Sequence, residues 1–296
     1  MATVVVGSES NRTNVQLVRA WAARGVAVSL VSAADAARAL QAGDRALGRL
    51  DVPPSLDGVE PGLLALLLLE RRGVEVLNGA AALLNAHDKL RTARCLERAG
   101  LPHPRTTTFR AGDPMPVLDR PLVLKPRFGS WGRDVLLCRD GAELERSLAA
   151  VGGRPWFRRH GALVQELVPP LGYDLRLVVA AGEVVGGGER VAAPGDWRTN
   201  ISRGGTLRSA AVPGDARALA VAAAAAVGAD LVGVDLLPVD GGGHVVLELN
   251  GAVDFDERYT LDRRDPYEAA ARALGLTSRS RALDERARAA PLSARR

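Results

Sequence analysis

Leu124-Lys125-Pro126-Arg127-Phe128-Gly129-Ser130-Trp131-Gly132-Arg133-Asp134-Val135 is the stretch on which the fold turns. Pro121–Lys125 before it and Val135–Cys138 at its end read as strands, so the glycines form a turn between two strands. Backbone N–H groups of a glycine loop approach phosphate oxygens closely, because no side chain intervenes. Lys125, at the end of its strand, adds a cation. A Walker A loop places its Lys after the glycines and leads from strand into helix. Here the Lys comes first and the loop joins strand to strand. The competing interpretation is an ordinary glycine-rich hairpin.

Lysine usage bears on that choice. Of the 39 Lys and Arg residues only two are Lys, Lys89 and Lys125. An ammonium is a compact point charge that sits against phosphate oxygens, whereas a guanidinium is a wide planar fork. Where a chain uses Arg almost throughout, its two lysines invite a chemical reason. Lys89 opens a helix over Asp88–Ala99, with Asp88 as its N-cap and Gly100-Leu101-Pro102 as its stop.

Farther on, Val234-Asp235-Leu236 and Leu247-Glu248-Leu249-Asn250 set acids inside or at the end of apolar strands (Leu231–Leu236 and His244–Leu249), bridged by Asp240-Gly-Gly-Gly243. A carboxylate forced against a core or into a cleft is costly without a cation. Asp, Glu and Asn offer hard oxygen ligands of the kind Mg²⁺ takes. Glu248 and Asn250 are two apart and share a strand face. If the two strands form a hairpin, all three side chains converge. Neither His nor Cys joins them, which argues against zinc. The plainer alternative is a half-exposed sheet face. Arg176, Arg190, Arg198 and Arg203 lie at strand ends and in loops, and Arg203 precedes Gly204-Gly205. Guanidinium groups there could grip carboxylate or phosphate.

The rest of the chain frames these motifs. Thr3–Val6, Val26–Val31 and Val74–Leu77 read as strands. Val15–Arg24 and Gly62–Arg72 read as helices stopped by Gly25 and Gly73. This alternation predicts an α/β first domain on a parallel sheet. The turn after the first strand, Gly7-Ser-Glu-Ser-Asn11, lacks the Gly-x-Gly-x-x-Gly of a nicotinamide site. The second half mixes strands (Ala162–Val168, Leu175–Ala180, Glu183–Gly188) with helices (Ala142–Val151, Asp215–Val227), an α+β pattern. No internal repeat is apparent.

Composition excludes several classes. Hydrophobic residues make up 47% of 296 positions, enough for a sizeable core, while aromatics at 4% leave it aliphatic. No apolar run reaches the ~18 residues that span a membrane, and no signal peptide is visible. Two cysteines make neither a disulfide framework nor a zinc site. The expected address is the cytoplasm, with no membrane partner. The net charge of +5 is concentrated after Thr277, where six Arg face two acids. That segment reads as a solvated, disordered basic tail, and no nucleic-acid partner is expected.

Taken in order, the motifs resemble the ATP-grasp superfamily, in its RimK-like amino-acid ligase branch. The matches run from Leu77 to Phe255: Asn85-Ala-His-Asp88-Lys89 and Ala99-Gly-Leu-Pro102; Leu124-Lys125-Pro; Gly129-Ser-Trp-Gly132-Arg133; Gln165-Glu166-Leu-Val168; Tyr173-Asp174-Leu-Arg176; Glu189-Arg190; Arg198-Thr-Asn200-Ile-Ser-Arg203-Gly-Gly205; Val234-Asp235; and Glu248-Leu-Asn250. The Gly-Ser-Trp-Gly-Arg loop is also similar to that of ligases extending carrier proteins in lysine and arginine biosynthesis. The resemblance implies a Rossmann-like first domain (1–86), two α+β ATP-grasp subdomains (87–165 and 166–276) and the tail (277–296).

It also implies roles. Lys89 and Lys125 would hold ATP phosphates under a mobile lid from Gly129, Ser130, Trp131 and Gly132 to Val135. Gln165, Glu166, Leu167 and Val168 would be the hinge that pairs the adenine edge, and Asp174 would reach the ribose. Asp235, Glu248 and Asn250 would hold two Mg²⁺, or Mn²⁺ in their place. Arg176, Arg190, Asn200 and Arg203 would face the acyl phosphate and the substrate carboxylate, Arg190 and Asn200 would also contact ATP, and Gly204, Asn250, Gly251 and Ala252 would line the substrate. Arg176, Arg190 and Arg203 are the catalytic candidates. The implied activity is ATP-dependent amide-bond formation on an amino acid, peptide or carrier protein, in a homodimer or homotetramer. One departure stands out. RimK-like modification enzymes follow the metal Asn with small-Ser-Pro-Gly, whereas here Gly251-Ala-Val-Asp254 follows, so substrate identity does not carry over. A ligase of a small natural-product acid or dipeptide, and a regulatory module that binds ATP without turnover, are the rival interpretations.

Overall fold

The computed structural model describes residues 2–116 and 119–277. Its first sheet is parallel and comprises β1 (Thr3–Val6), β2 (Ser29–Val31), β3 (Arg45–Gly48) and β4 (Glu75–Leu77) in the order β2-β1-β3-β4. Helices α1 (Arg12–Ala23), α2 (Ala33–Ala39) and α3 (Leu63–Arg71) connect them. Alternation along β1 serves two cores. Val4 and Val6 pack with Leu66, Leu69 and Leu83, while Val5 packs with Leu17 and Trp21 of α1. Each such side chain, fully buried, contributes about 1.5–3 kcal/mol. The Asn11 side chain caps α1 by accepting from the N–H groups of Thr13 and Asn14.

Two expectations change here. The strand expected over Val26–Val31 begins only at Ser29, because Val26 N–H donates to the Trp21 carbonyl at 3.0 Å and closes the preceding helix. The central strand β3 was not anticipated. Arg45-Ala-Leu-Gly48 has no β-branched residue, and tertiary pairing with β1 and β4 overrides its weak propensity.

Helices α4 (Ala80–His87) and α5 (Lys89–Arg98) lead out of the first domain, and Asp88 both ends α4 and caps α5. A second sheet follows, antiparallel, of β5 (Thr106–Phe109), β6 (Leu122–Pro126), β7 (Leu136–Cys138) and β8 (Ala162–Glu166) in the order β5-β8-β6-β7. Helices α6 (Gly141–Val151) and α7 (Pro155–His160) cover it. Val52 and Leu56 from the first domain enter this core.

The third sheet is antiparallel too: β9 (Tyr173–Ala180), β10 (Glu183–Val191), β11 (Thr206–Arg208), β12 (Leu231–Pro238) and β13 (His244–Asn250), ordered β11-β10-β9-β12-β13. One face carries Leu175, Leu177, Val179, Val232, Val234 and Leu236 against the alanines of α8 (Gly214–Val227). By the two-residue period of a strand, Asp174, Arg176 and Asp235 face the other way. Helix α9 (Pro266–Ala273) then returns to the first domain, where Trp21 Nε1 donates to the Tyr267 carbonyl at 2.9 Å. From residue 278 onward the expected basic tail lies outside the described residues.

Candidate active site

A cleft of about 930 Å³, including its open mouth, lies between the second and third sheets. The third sheet builds its floor. Arg176 on β9 pairs in register with Asp235 on β12, and Asp235 with Glu248 on β13. The register slips next to that pair, so that Leu236 opposes Val246 and Leu247 is the extra residue of a bulge. The bulge lets Leu247 and Glu248 both line the cleft, where strict alternation would have sent one of them away.

Lys125 and Lys89 reach the cleft from the opposite side. Lys125 is buried at the end of β6, and its Nζ donates to Gln165 Oε1 at 2.7 Å. Burial lowers its pKa to about 8, and the nearby Glu248 carboxylate offsets part of that effect. Lys89 Nζ donates to the Gly129 carbonyl at 2.7 Å and lies 3.3 Å from Glu248 Oε2. Both lysines of the chain thus face the Glu248 side of one cleft.

A buried charge network runs beneath. Arg190 donates to both oxygens of Asp174 and, through Nη2, to Asp235 Oδ2 at 2.8 Å. Arg176 donates to Asp235 through Nε and, at 2.9 Å, through Nη2. Thr199 Oγ1 donates to Asp174 Oδ2 at 2.7 Å. Burial alone would raise the Asp235 pKa, but Arg176 and Arg190 outweigh it and hold the carboxyl at about 2. Burial would likewise lower the Arg190 value, and Asp235 and Asp174 outweigh it, leaving that guanidinium firmly charged.

The glycine loop closes over the cleft and touches the loop that follows β10. Trp131, Gly132 and Asp134 all take positive φ. Trp156 Nε1 donates to Asp134 Oδ2 at 2.8 Å and anchors the loop base. Ser202 Oγ donates to the Trp131 carbonyl at 3.1 Å, and Arg198 Nη1 to that of Val135 at 3.2 Å. A Cβ on Gly132 would sit 2.6 Å from Asn200 Oδ1, so this contact needs a glycine.

The residues expected to hold the nucleotide all line the cleft: Lys89, Lys125, Gly129–Gly132, Val135, Gln165–Val168, Asp174, Arg190 and Asn200. So do Asp235 and Glu248. Asn250, Arg176, Arg203, Gly204, Gly251 and Ala252 are not among the lining residues.

Four of the residues given roles are engaged by neighbours that their motifs do not show. Asp174 is buried at the cleft wall, and its carboxylate accepts from Arg190 and Thr199, so it holds Arg190 in place. Gly251 and Ala252 are buried, and a Cβ on Gly251 would meet Leu83 Cδ2 at 2.9 Å and His87 Nε2 at 3.0 Å, so this glycine packs α4 and does not line the cleft. Arg203 stands half-exposed above the lid, its Nε donating to Asp196 Oδ2 at 3.1 Å.

The sequence reading missed Trp197, Thr199, Leu237 and Leu247, which also line the cleft. Trp197 carried a usable signal, an aromatic in a polar turn of an aromatic-poor chain. Leu237 and Leu247 carried none, since only the bulge turns Leu247 out of the core.

Comparison with known proteins agrees with this architecture. The model of the RimK-like ATP-grasp domain matches residues 86–262. The chain is 33% identical over 197 residues to a probable alpha-L-glutamate ligase of Pseudomonas aeruginosa (strain UCBPP-PA14), covering 64% of each chain. To the probable alpha-L-glutamate ligase of Serratia proteamaculans (strain 568) it is 35% identical over 197 residues, again covering 64% of each. The match thus spans under two thirds of these relatives' length. Among solved structures, a RimK domain ATP-grasp protein from Sphaerobacter thermophilus superposes with a TM-score of 0.62 at 25% identity, over 92% of this chain and 99% of that one. The D-alanine–D-alanine ligase of Bacillus anthracis, complexed with ATP, shares the fold at a TM-score of 0.67 and 15% identity, over 97% of this chain and 99% of its own. The chain belongs to the RimK-like ATP-grasp family.

Proposed function

We propose that this protein is an ATP-dependent carboxylate–amine ligase that joins an amino acid, glutamate being the first candidate, to the carboxylate of an amino acid, peptide or carrier protein. The observation that carries the proposal is the placing of both lysines opposite Glu248 and Asp235 across one cleft. Cations on one wall and hard oxygen donors on the other match what a nucleotide triphosphate with its metal requires.

The donor set fits Mg²⁺ or Mn²⁺. Glu248 is partly exposed to the cleft. Asn250 Nδ2 is buried without a partner, and turning that amide over presents an oxygen instead. The three guanidinium bonds to Asp235 leave about one of its roughly four lone-pair positions free. Glu248, Asn250 and Asp235 would therefore hold one or two ions, which supply charge neutralisation at the phosphates.

In this reading the substrate carboxylate oxygen attacks the γ-phosphorus, the bond to ADP breaks, and an acyl phosphate forms. The amine nitrogen then attacks the acyl carbon, phosphate leaves, and the nitrogen loses a proton. Lys125 and Lys89 stabilise the transferring phosphoryl group. Arg190, fixed by Asp174, supplies a further positive charge at the floor. The loop from Gly129 to Val135 excludes water, which would otherwise hydrolyse the acyl phosphate. Leu167 N–H already donates to the Pro121 carbonyl at 3.2 Å, so an adenine edge would meet the backbone of Glu166 and Val168.

Phosphate release from Mg-ATP, screened over pairs of acids and amines that include glutamate, tests the proposal. Release should require both partners, and Glu248→Ala should lower it about 10²–10³-fold or more, the loss seen when one electrostatic partner of a transition state is removed. ATP binding without release for any pair, peptide and carrier acceptors included, would instead make the protein a regulatory binder.

A further inference from the structure

A second cavity, of about 760 Å³ including its open mouth, lies outside the cleft, between helix α5 and strand β5. Arg94 and Glu97 on α5 line one wall, and Arg105, Thr107 and Thr108 line the other. The volume falls in the range of small-molecule sites. Among the described residues neither Arg94 nor Arg105 has a carboxylate within 4.0 Å, and neither guanidinium donates a hydrogen bond. A free guanidinium at a surface is ordinary. Two of them, one on each wall of a single groove, make a matched pair of receptors for anionic groups.

The two walls belong to different bodies of the fold. Cys95 and Leu96 of α5 pack with the alanines of α8 in the core of the third sheet. Phe109 of β5 packs in the core of the second. The chain passes between these bodies in one short step. Val246 N–H on β13 donates to the Pro102 carbonyl at 2.9 Å, and Glu166 N–H on β8 donates to the Arg105 carbonyl at 2.9 Å. Only His103 and Pro104 lie between those anchors. Pro104 lines the cleft, whereas His103 and Arg105 line the groove. Cleft and groove therefore lie on opposite sides of the connecting segment. A second link joins them: Thr106 lines the groove, its Oγ1 accepts from Gln165 Nε2 at 2.8 Å, and Gln165 Oε1 holds the Lys125 ammonium.

We propose that this groove is an effector site for a small dianion, a molecule with two phosphate or two carboxylate groups, which bridges Arg94 and Arg105 across the segment His103–Pro104. One anionic group pairs with each guanidinium, and the hydroxyls of Thr107 and Thr108 supply further donors. Hinges of domain closure are a few connecting residues that absorb the backbone change. A dianion held by both walls draws α5 and β5 together. Because the cleft lies on the other side of the segment, that movement turns the second sheet away from the third and widens the cleft. The bound dianion thus favours the open form, and ATP, which needs both walls of the cleft, favours the closed one. Each ligand weakens the other by the same factor. The dianion is a regulator rather than a reactant, since the groove opens behind the segment that walls off the cleft.

Calorimetric titration of the full chain tests this with pyrophosphate and succinate as the two dianion probes and acetate as the control. Pyrophosphate or succinate should bind, and which of them does identifies the source of the anionic groups; acetate should bind about tenfold or more weakly than either, having one charged group to offer. Arg94→Gln and Arg105→Gln should each weaken the dianion by a similar factor, and both are exposed positions at which the fold is expected to survive. The affinity for Mg²⁺ with a non-hydrolysable ATP analogue should fall about fivefold or more as the dianion is added and then level off. In the double variant the same addition should leave that affinity unchanged. Failure of both probes to bind, binding untouched by either substitution, or an unaltered affinity for the ATP analogue would overturn the site. A loss of that affinity that never levels off would overturn it too, because the probe would then be competing inside the cleft. Absence of ATP binding would sink the ligase reading separately, while dianion binding to the free protein and its loss in the two variants would still be measurable.

Discussion

Lys125→Met should all but abolish phosphate release from Mg-ATP and yet leave the protein at least as stable near pH 7. The substitution keeps the shape of a long unbranched chain and removes a cation that burial has driven down from the usual 10.5 to about 8. At ~1.4 kcal/mol per pKa unit, the folded state carries a penalty on the order of 3 kcal/mol for keeping that ammonium charged. Losing the hydrogen bond to Gln165 Oε1 returns ~1–3 kcal/mol of cost. The balance lies between zero and a gain of ~2 kcal/mol. Catalysis moves the other way, because a positioned charge at a transferring phosphoryl group is worth ~10²–10³ in rate.

The pH dependence of Lys125 has a definite sign. Its folded pKa lies below its unfolded one, so between about pH 8 and 10.5 the unfolded chain binds more protons and stability rises with pH. Below pH 8 the penalty is present in full. The stability gap between wild type and Lys125→Met should therefore close progressively between pH 8 and 10.5, measured by denaturant titration. Over the same range wild-type KM for ATP should rise as the free enzyme loses its cation. Undiminished phosphate release by Lys125→Met would remove the phosphate role assigned to this residue.

How much of this was written in the sequence depends on the kind of signal. The scarcity of lysine and the order of glycine loop and acid-bearing strands pointed to one site before any coordinates, and Lys89, Lys125 and Glu248 do meet. Such motifs are local, and the chemistry they need fixes their residue types. What could not be read was non-local. Asp235 looked like a free metal ligand because its strand says nothing of Arg176 and Arg190, which approach from β9 and β10. The bonds that Asp174 accepts from Arg190 and Thr199 were hidden for the same reason. The bulge at Leu247 has no sequence mark, since an extra apolar residue in an apolar strand is silent. Arg49 was one arginine among many. Only the pairing of β3 between β1 and β4, itself missed, brings it against Asn14 and the Val253 carbonyl.

Asp174 offers the sharpest test of that non-local layer. If it holds Arg190, Asp174→Leu leaves a buried guanidinium with Asp235 alone, already shared with Arg176. Breaking one side of a buried pair costs ~3–5 kcal/mol, which for a chain of this size lowers Tm on the order of 10 °C. An exposed pair is a fair control: Asp35→Asn, which frees Arg38 at the surface, should leave Tm nearly unchanged. The decisive variant is the double one. Asp174→Leu with Arg190→Met replaces the pair with apolar groups of similar length, and such replacements are often neutral or stabilising. It should recover most of the Tm lost by Asp174→Leu alone. Phosphate release should not recover with it, because the charge that Asp174 positions at the floor of the cleft is gone. Recovery of both would make the network a folding device only, and recovery of neither would show that Arg190 has structural partners beyond the two acids. Stability regained without activity is the outcome that separates holding the fold from holding the phosphoryl group, and it follows from the geometry of three side chains on neighbouring strands.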